Sequence, residues 1–301
     1  MLKATRFFNR VLGRLTGLWR TERRLERVEK LLGEIRSHQL MNVGSLHESE
    51  FSIFSQRGED GILDFLTRHV KISKKTFVEF GVEEYSESNT RFLLLSRNWS
   101  GLVMDGNPEY VRFIKSDPVC ENYPLQVVEA FITKENINEL LGSSGVTGEI
   151  GVLSIDIDGN DYWIWEAVHI VDPAIVVVEY NPRFQSSRAS VVPYKSDFTR
   201  FEAHYSGLYY GASLRAIVML GKKKGYAFVG CSRGGANAFF VRENLRPDNI
   251  PVMTVESGAV QSGFKTARDA SGKPLYVQPE AEERLLEELL RTLPVVDLPA
   301  E

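Results

Sequence analysis

The chain has 301 residues, 43% of them hydrophobic and 25% charged, which lies in the ordinary globular range and suffices for one large core plus appendages. A net charge of −4 is too small to make nucleic acid or a strongly acidic molecule a partner of the whole protein, so charged partners must be sought in local patches. Cys120 and Cys231 are the only cysteines and lie outside any CxxC or Cys/His cluster, which excludes a disulfide framework and a zinc or haem site and suits a reducing compartment.

The first twenty residues carry Lys3, Arg6, Arg10, Arg14 and Arg20 and no acid, while Phe7, Phe8, Val11, Leu12, Leu15, Leu18 and Trp19 recur at helical spacing. This predicts a basic amphipathic helix. It lacks the continuous apolar stretch and the cleavage site of a signal peptide, and no run in the chain approaches the roughly 18 apolar residues of a membrane span. The expectation is a cytoplasmic protein whose arm rests either on the anionic inner face of a membrane, as a peripheral contact, or on a neighbouring subunit. Leu18, Leu25 and Leu32 hold one heptad position and Thr21, Val28 and Ile35 the other, with Arg24 and Glu29 flanking them. Residues 1–41 therefore read as a basic helix and a short coiled coil that would make homo-oligomers, or equally as a helix lying on its own domain.

A polar connector from Asn42 to Glu50 leads into alternating helices and strands over residues 50–245. A helix is predicted from Glu59 to Val70, then strands at Thr76 to Val82, Ser100 to Asp105 and Leu125 to Ile132, with helical stretches between them. Gly151 to Ile157 and Ala174 to Tyr180 are the most continuous apolar runs, as expected of central parallel strands covered on both faces. A helix from Ala212 to Lys224 precedes Tyr226 to Cys231, and Arg233, Gly234 and Gly235 then turn the chain into Ala236 to Val241, which forces an antiparallel hairpin. The fold expected is a Rossmann-like α/β domain with a mostly parallel seven-stranded sheet, a terminal antiparallel hairpin and an N-terminal helical arm. Residues 246–301 read as a loop or lid followed by a helix from Pro279 to Leu293.

In such a sheet ligands bind beyond the carboxyl ends of the strands. The first strand leaves through Glu79-Phe80-Gly81-Val82, and Asp105-Gly106 ends the second, about 24 residues on, where an acidic residue reaches a ribose diol or caps the following helix. Asp156, Asp158 and Asp161 crowd the end of the fourth strand, and Glu179 and Asn181 end the fifth. Carboxylates this dense repel one another unless a cation, hydrogen bonds or solvent compensates. Asp156, Asp158, Glu179 and Asn181 are accordingly a candidate oxygen-ligand set for Mg2+ or Mn2+, against the reading in which Asp158 and Asp161 only cap a helix. His204 is the one histidine in the segment from Asn181 to Tyr210 and the candidate general base, unless it is a hydrogen-bonded structural group. The same segment offers Arg183, Arg188, Tyr194, Lys195, Tyr205, Tyr209 and Tyr210 to a polar acceptor.

The succession Ser55-Gln56-Arg57-Gly58-Glu59-Asp60-Gly61, Phe77-Val78-Glu79-Phe80-Gly81-Val82, Ser88-Asn89-Thr90, Trp99 to Gly106, Leu153 to Trp163 and Val178-Glu179-Tyr180-Asn181 resembles the FkbM-like class I methyltransferases over roughly residues 50–245. The resemblance implies S-adenosylmethionine as cofactor, held by Glu79 and Gly81 at its methionine end, by Asp105 at the ribose and by Glu129, Ala130 and Phe131 near adenine, with Asn89 and Gly106 as further cofactor contacts. Asp156 would lie near the methyl group, as cofactor contact and catalytic residue, and the acceptor would be a hydroxyl on a sugar, glycan or other small natural product. The first turn departs from the commonest methyltransferase motif in having one glycine where two or three are usual. Two other readings stand beside this one: a nucleotide-dependent oxidoreductase, which the missing GxGxxG disfavours, and a non-catalytic assembly or membrane-recruitment module that keeps a cofactor fold.

Overall fold

The computed structural model describes residues 18–263 and 267–299. The basic arm read in residues 1–17 lies outside them. Among the described residues no helix is long and apolar enough to cross a membrane.

Helix α1 (Leu18–Gln39) runs ahead of the domain, and α2 (Glu59–His69) opens it. The strands β1 (Thr76–Phe80), β2 (Ser100–Asp105), β3 (Leu125–Glu129), β4 (Gly148–Ile155) and β5 (Val171–Glu179) alternate with α3 (Arg91–Arg97), α4 (Pro108–Ser116), α5 (Val119–Asn122), α6 (Ile137–Ser143) and α7 (Asp161–Ala167). An insertion follows that holds a two-residue strand β6 (Ser190–Val191) and a short helix α8 (Arg200–Ala203). Helix α9 (Leu214–Lys223) then leads to the hairpin of β7 (Tyr226–Cys231) and β8 (Asn237–Arg242).

The sheet order is β3-β2-β1-β4-β5-β8-β7, with the first five strands parallel and β8 antiparallel to both its neighbours. This is the Rossmann-like class I methyltransferase arrangement. The chain steps from β5 to the sheet edge at β7 and returns through β8, so that the last strand, not the sixth, meets β5. The central strands are buried on both faces because most of their positions are apolar, whereas the edge strand β3 is only partly covered. Val78, Phe80, Leu102, Met104, Leu153, Ile155, Val176 and Val178 face one helical layer, and Phe77, Val103, Val152, Ile175 and Val177 face the other. Two strands are shorter than expected: β1 stops at Phe80 because Gly81 turns to φ 71°, and β3 stops at Glu129.

Helix α1 docks through its C-terminal half. Gly33 lies against the Phe92 ring, where a side chain would come within 2.6 Å of it. Ser37 Oγ donates to Asp64 Oδ2 at 2.6 Å, and Arg97 reaches both, with Nε 2.7 Å from Asp64 Oδ1.

The tail is built into the fold. After a 3-10 turn (Glu243–Leu245) and α10 (Val255–Gly258), helix α11 (Pro279–Leu289) packs Leu286 with Phe184, Val192, Leu208 and Tyr210 of the insertion, and β9 (Val296–Asp297) pairs with β6. The residues expected to form a lid are fixed to this insertion by a buried ion pair, Arg183 Nε to Glu282 Oε2 at 2.6 Å, with Arg183 also donating to Ser262 O at 2.9 Å. Breaking such a pair from one side strands a buried charge. Glu282→Ala is therefore expected to lower unfolding free energy by about 3–5 kcal/mol in urea titration. A loss below about 1 kcal/mol would mean that the tail is not anchored by this contact.

Candidate active site

A cavity of about 730 Å³ opens beyond the carboxyl ends of β1, β2, β4 and β5 and the amino end of the antiparallel β8. It has two lobes. One is lined by Gly81, Val82, Met104, Asp105, Gly106, Tyr110, Ala130, Phe131 and Ile132; the other by Gln56, Arg57, Glu59, Glu179, Arg183, Phe198, Arg200, Tyr210 and Asn237. Asp156 lies on the wall of the same cavity, at the end of β4.

The first lobe is shaped by close backbone approach. A Cβ on Gly81 would stand 1.6 Å from the Asp156 carbonyl oxygen, and φ at Gly81 is 71°, so only glycine lets the exits of β1 and β4 meet. Asp105 braces the adjoining turns: Oδ2 accepts from Glu83 N at 2.9 Å and Oδ1 from Asn107 N at 2.7 Å. The Val82 N–H also serves this carboxyl, and the lone-pair capacity that remains is open to a ligand. Phe131 is half exposed and offers its ring as an apolar wall. Ala130 and Gly106 line the lobe beside it, whereas Glu129 is exposed and off the cavity wall, because β3 ends there and the chain turns inward only at Ala130.

Glu79 is buried, and its carboxyl is consumed by the loop that follows. Oε1 accepts from Asn89 N at 2.9 Å, and Oε2 accepts from Thr90 N at 3.1 Å and Thr90 Oγ1 at 2.5 Å. Asn89 Nδ2 in turn donates to Ser154 Oγ at 3.0 Å. Glu79 and Asn89 line the cavity while holding the loop that carries Glu83 and Ser88.

The second lobe brings together the acids at the ends of the central strands, with a changed membership. Ligand atoms of Asp156, Asp161 and Glu179 lie within 4.8 Å of one another. Asp158 and Asn181, expected in this set, are engaged elsewhere. Asp158, in a left-handed conformation with φ 55°, stays on the cavity wall but pairs there with Arg200 Nη1 at 2.6 Å. Asn181 is fully buried as a clasp of the insertion, donating to Leu208 O and Tyr210 O at 2.8 and 3.0 Å and accepting from Arg183 N at 2.9 Å. Asp161 takes the third place and is also a brace, since its carboxyl accepts from Ile157 N at 2.8 Å and Gly159 N at 2.9 Å. Burial pushes the Asp156 and Glu179 carboxyls well above the usual range, and their mutual repulsion and that of Asp158 and Asp161 push them further. Glu179 Oε2 has no hydrogen-bond donor.

His204 lies off the cavity wall, stacked on Tyr205 at 4.3 Å with Nδ1 2.9 Å from Ser206 Oγ, and burial lowers its pKa. It is a structural group of the insertion. Of the insertion residues expected to meet an acceptor, Arg183 and Tyr210 line the cavity, while Arg188, Tyr194, Lys195, Tyr205 and Tyr209 do not.

The wall residues without an assigned role include Arg57, Glu59, Arg200 and Asn237. The loop Ser52 to Gly58 is wound around Asp60, whose Oδ2 accepts from Ile53 N, Phe54 N and Ser55 N at 2.7, 2.7 and 3.0 Å, and this places Arg57 and Glu59 at the cavity. Asn237 is the register partner of Glu179 across β5 and β8. Its Nδ2 donates to Glu59 Oε1 at 3.2 Å, which leaves Oδ1 as an acceptor without a donor. Arg200 lies over the Tyr210 ring at 3.6 Å.

No protein-family model matches the sequence, and no curated protein matches it. Solved structures similar to the chain include the N-terminal domain of EvdMO1 with SAH bound, at 10% identity over 62% of this chain and 80% of that one, with a TM-score of 0.41. An S-adenosylmethionine-dependent methyltransferase from Clostridium acetobutylicum is 9% identical over 60% of this chain and 88% of that one, with a TM-score of 0.37. TrmK of M. capricolum in complex with S-adenosyl-homocysteine is 10% identical over 77% of this chain and 87% of that one, with a TM-score of 0.38. Likeness of this degree says nothing about substrate, and the chemistry rests on the cavity itself.

Burial raises the Glu79 carboxyl to about 7 and the Asp60 carboxyl to about 6. Between its ordinary and its raised value each group holds a proton in the folded chain that it has lost in the unfolded one. Stability therefore falls as pH rises through this window, by at most about 1.4 kcal/mol per pH unit for each group. The melting temperature is expected to fall between about pH 5 and pH 7, and Glu79→Gln is expected to flatten the upper part of the fall. A melting temperature that climbs through this range would contradict the assignment.

Proposed function

We propose that the chain is an S-adenosylmethionine-dependent methyltransferase that modifies a hydroxyl oxygen of a small polyhydroxylated acceptor, such as a sugar, glycan or natural product. The observation that carries the acceptor half of this reading is a pair of orphaned oxygens. Glu179 Oε2 and Asn237 Oδ1 belong to residues directly opposite each other on β5 and β8, both residues are 8% exposed, both line the cavity, and neither oxygen has a donor. Buried acceptors left unpaired cost about 1–3 kcal/mol each, so a ligand that reaches these enclosed oxygens as neighbouring side chains give way would bring two hydroxyl or amino hydrogens to neighbouring points. Adjacent hydroxyls on one ring meet that need.

The other lobe fits the adenosyl part: Asp105 retains lone pairs for a ribose diol, Gly106 leaves room beside it, and Phe131 offers a face to a base. When bound, S-adenosylmethionine supplies a positively charged sulfonium and the methyl group. The wall suits that charge, because Glu79, Glu83, Asp105, Asp156 and Glu179 face the cavity near the exits of β1, β2, β4 and β5. The same acids repel a diphosphate, and the turn after β1 has no further glycine to cradle one, which counts against a dinucleotide-dependent oxidoreductase. The order of motifs, which resembles the FkbM-like methyltransferases, favours the same activity.

In this reading Glu179 and Asp156 align the acceptor hydroxyl and take its proton as the oxygen attacks the methyl carbon. Burial and mutual repulsion raise the proton affinity of both carboxyls, which strengthens them as proton acceptors. The residues present also fit a divalent cation: Asp156, Asp161 and Glu179 would hold Mg2+ or Mn2+, which would acidify a hydroxyl bound beside it.

Formation of S-adenosylhomocysteine from S-adenosylmethionine with a pool of hydroxyl-rich acceptors tests the activity. Glu179→Gln is expected to reduce turnover by about 100-fold or more while S-adenosylmethionine still binds in calorimetry. Unchanged turnover would remove Glu179 from the reacting centre. Activity that survives chelation and dialysis assigns the cluster to proton transfer, and loss restored by Mg2+ or Mn2+ assigns it to a cation. Asp105→Ala is expected to weaken cofactor binding by about 1.5–3 kcal/mol, and unchanged affinity would reject the ribose assignment.

A further inference from the structure

Helix α1 has two working faces and only one of them is covered. Gly33, Ser37 and Leu40 are buried against the domain, whereas Thr21, the run from Arg23 to Glu29, and Leu31 and Leu32 are exposed, so the first half of the helix projects past the domain. On this projection Leu25, Val28, Leu32 and Ile35 are 55, 51, 52 and 46% exposed. At about 100° per residue they form one stripe, turned roughly 130° around the axis from the buried face. Their spacing of three, four and three residues is that of the two core positions of a heptad. A projecting helix of this length is marginal in water without a partner on its apolar side.

We propose that α1 is an assembly helix, on which further copies of this chain dock in parallel through Leu25, Val28, Leu32 and Ile35. The charges beside the stripe select this occupant. Arg24 precedes one core position and Glu29 follows the next, five residues on, and both are exposed. In a parallel bundle that spacing sets Arg24 of each helix beside Glu29 of its neighbour, an ion pair repeated at every contact. An antiparallel arrangement places like flanking positions together and loses the match. Leucine at the first core position with Val28 and Ile35 at the second favours three or four strands over two. Gly33, Ser37 and Leu40 point away from the stripe, so each domain hangs on the outside of the bundle with its cavity unobstructed by the helix.

Sedimentation of the full chain, whose mass is 34.1 kDa, is expected to give a trimer or tetramer at micromolar concentration. The double variant Leu25→Lys, Leu32→Lys is expected to sediment as a monomer with an unchanged melting temperature, since neither side chain packs on the domain. Arg24→Glu is expected to weaken association by about tenfold or more, and adding Glu29→Arg to restore it. A monomeric full-length chain, an assembly indifferent to the lysine pair, or a monomer that binds anionic vesicles through its N-terminal region overturns the proposal.

Discussion

Placing several carboxyl groups at the ends of apolar, doubly covered strands obliges the surrounding chain to answer for each of them. A buried carboxyl needs backbone donors, a proton or a cation, because its desolvation otherwise costs several kcal/mol. Much of the loop structure around the cavity follows from this requirement. The segment before α2 wraps three N–H groups around Asp60, the loop after β1 turns Asn89 and Thr90 onto Glu79, and the turn after β4 folds Ile157 and Gly159 onto Asp161. The acids so engaged are braces. Asp156 and Glu179 are different: they face the cavity, their carboxyls bond each other, and Glu179 Oε2 is left without a donor.

That division separates residues which set the shape of the site from residues which would do chemistry in it. Glu79 shapes the first lobe by holding its loop, and Gly81 shapes it by letting two strand exits touch. The second lobe is closed by parts far apart in the chain. The loop ahead of α2 contributes Glu59, β8 contributes Asn237, and the insertion contributes Arg200 and Tyr210. The tail contributes Ser262 and fixes the insertion through Arg183 and Glu282. The cavity is therefore sensitive to the docking of a segment that carries none of the reacting groups.

Much of the fold was legible in the sequence because its determinants are local. Continuous Val and Ile runs mark strands covered on two faces, the glycine pair after Arg233 forces a hairpin, and the acid at the end of β2 follows Gly81 at the spacing of a cofactor turn. The heptad spacing in α1 was equally readable, since periodicity along one helix needs no tertiary information. The residue types at the strand ends also marked the region of the cavity correctly.

Tertiary structure decided which of those residues face the cavity and which face the protein. Asp158 and Asn181 looked equivalent to Asp156 and Glu179 in the sequence, yet Asp158 is paired on the cavity wall with Arg200, and the insertion claims the side-chain amide of Asn181. His204 suited a base by type and by segment, but the loop folds its ring onto Tyr205. Asn237 acquires meaning only from the strand order, because nothing local says that the last strand lies next to the fifth and sets this amide opposite Glu179. The sequence by itself determined most of the elements, the end of the sheet where the cavity opens and the supply of acids there. The direction of each side chain depended on hydrogen bonds between residues tens of positions apart, and such partners are fixed only once the chain has closed around them.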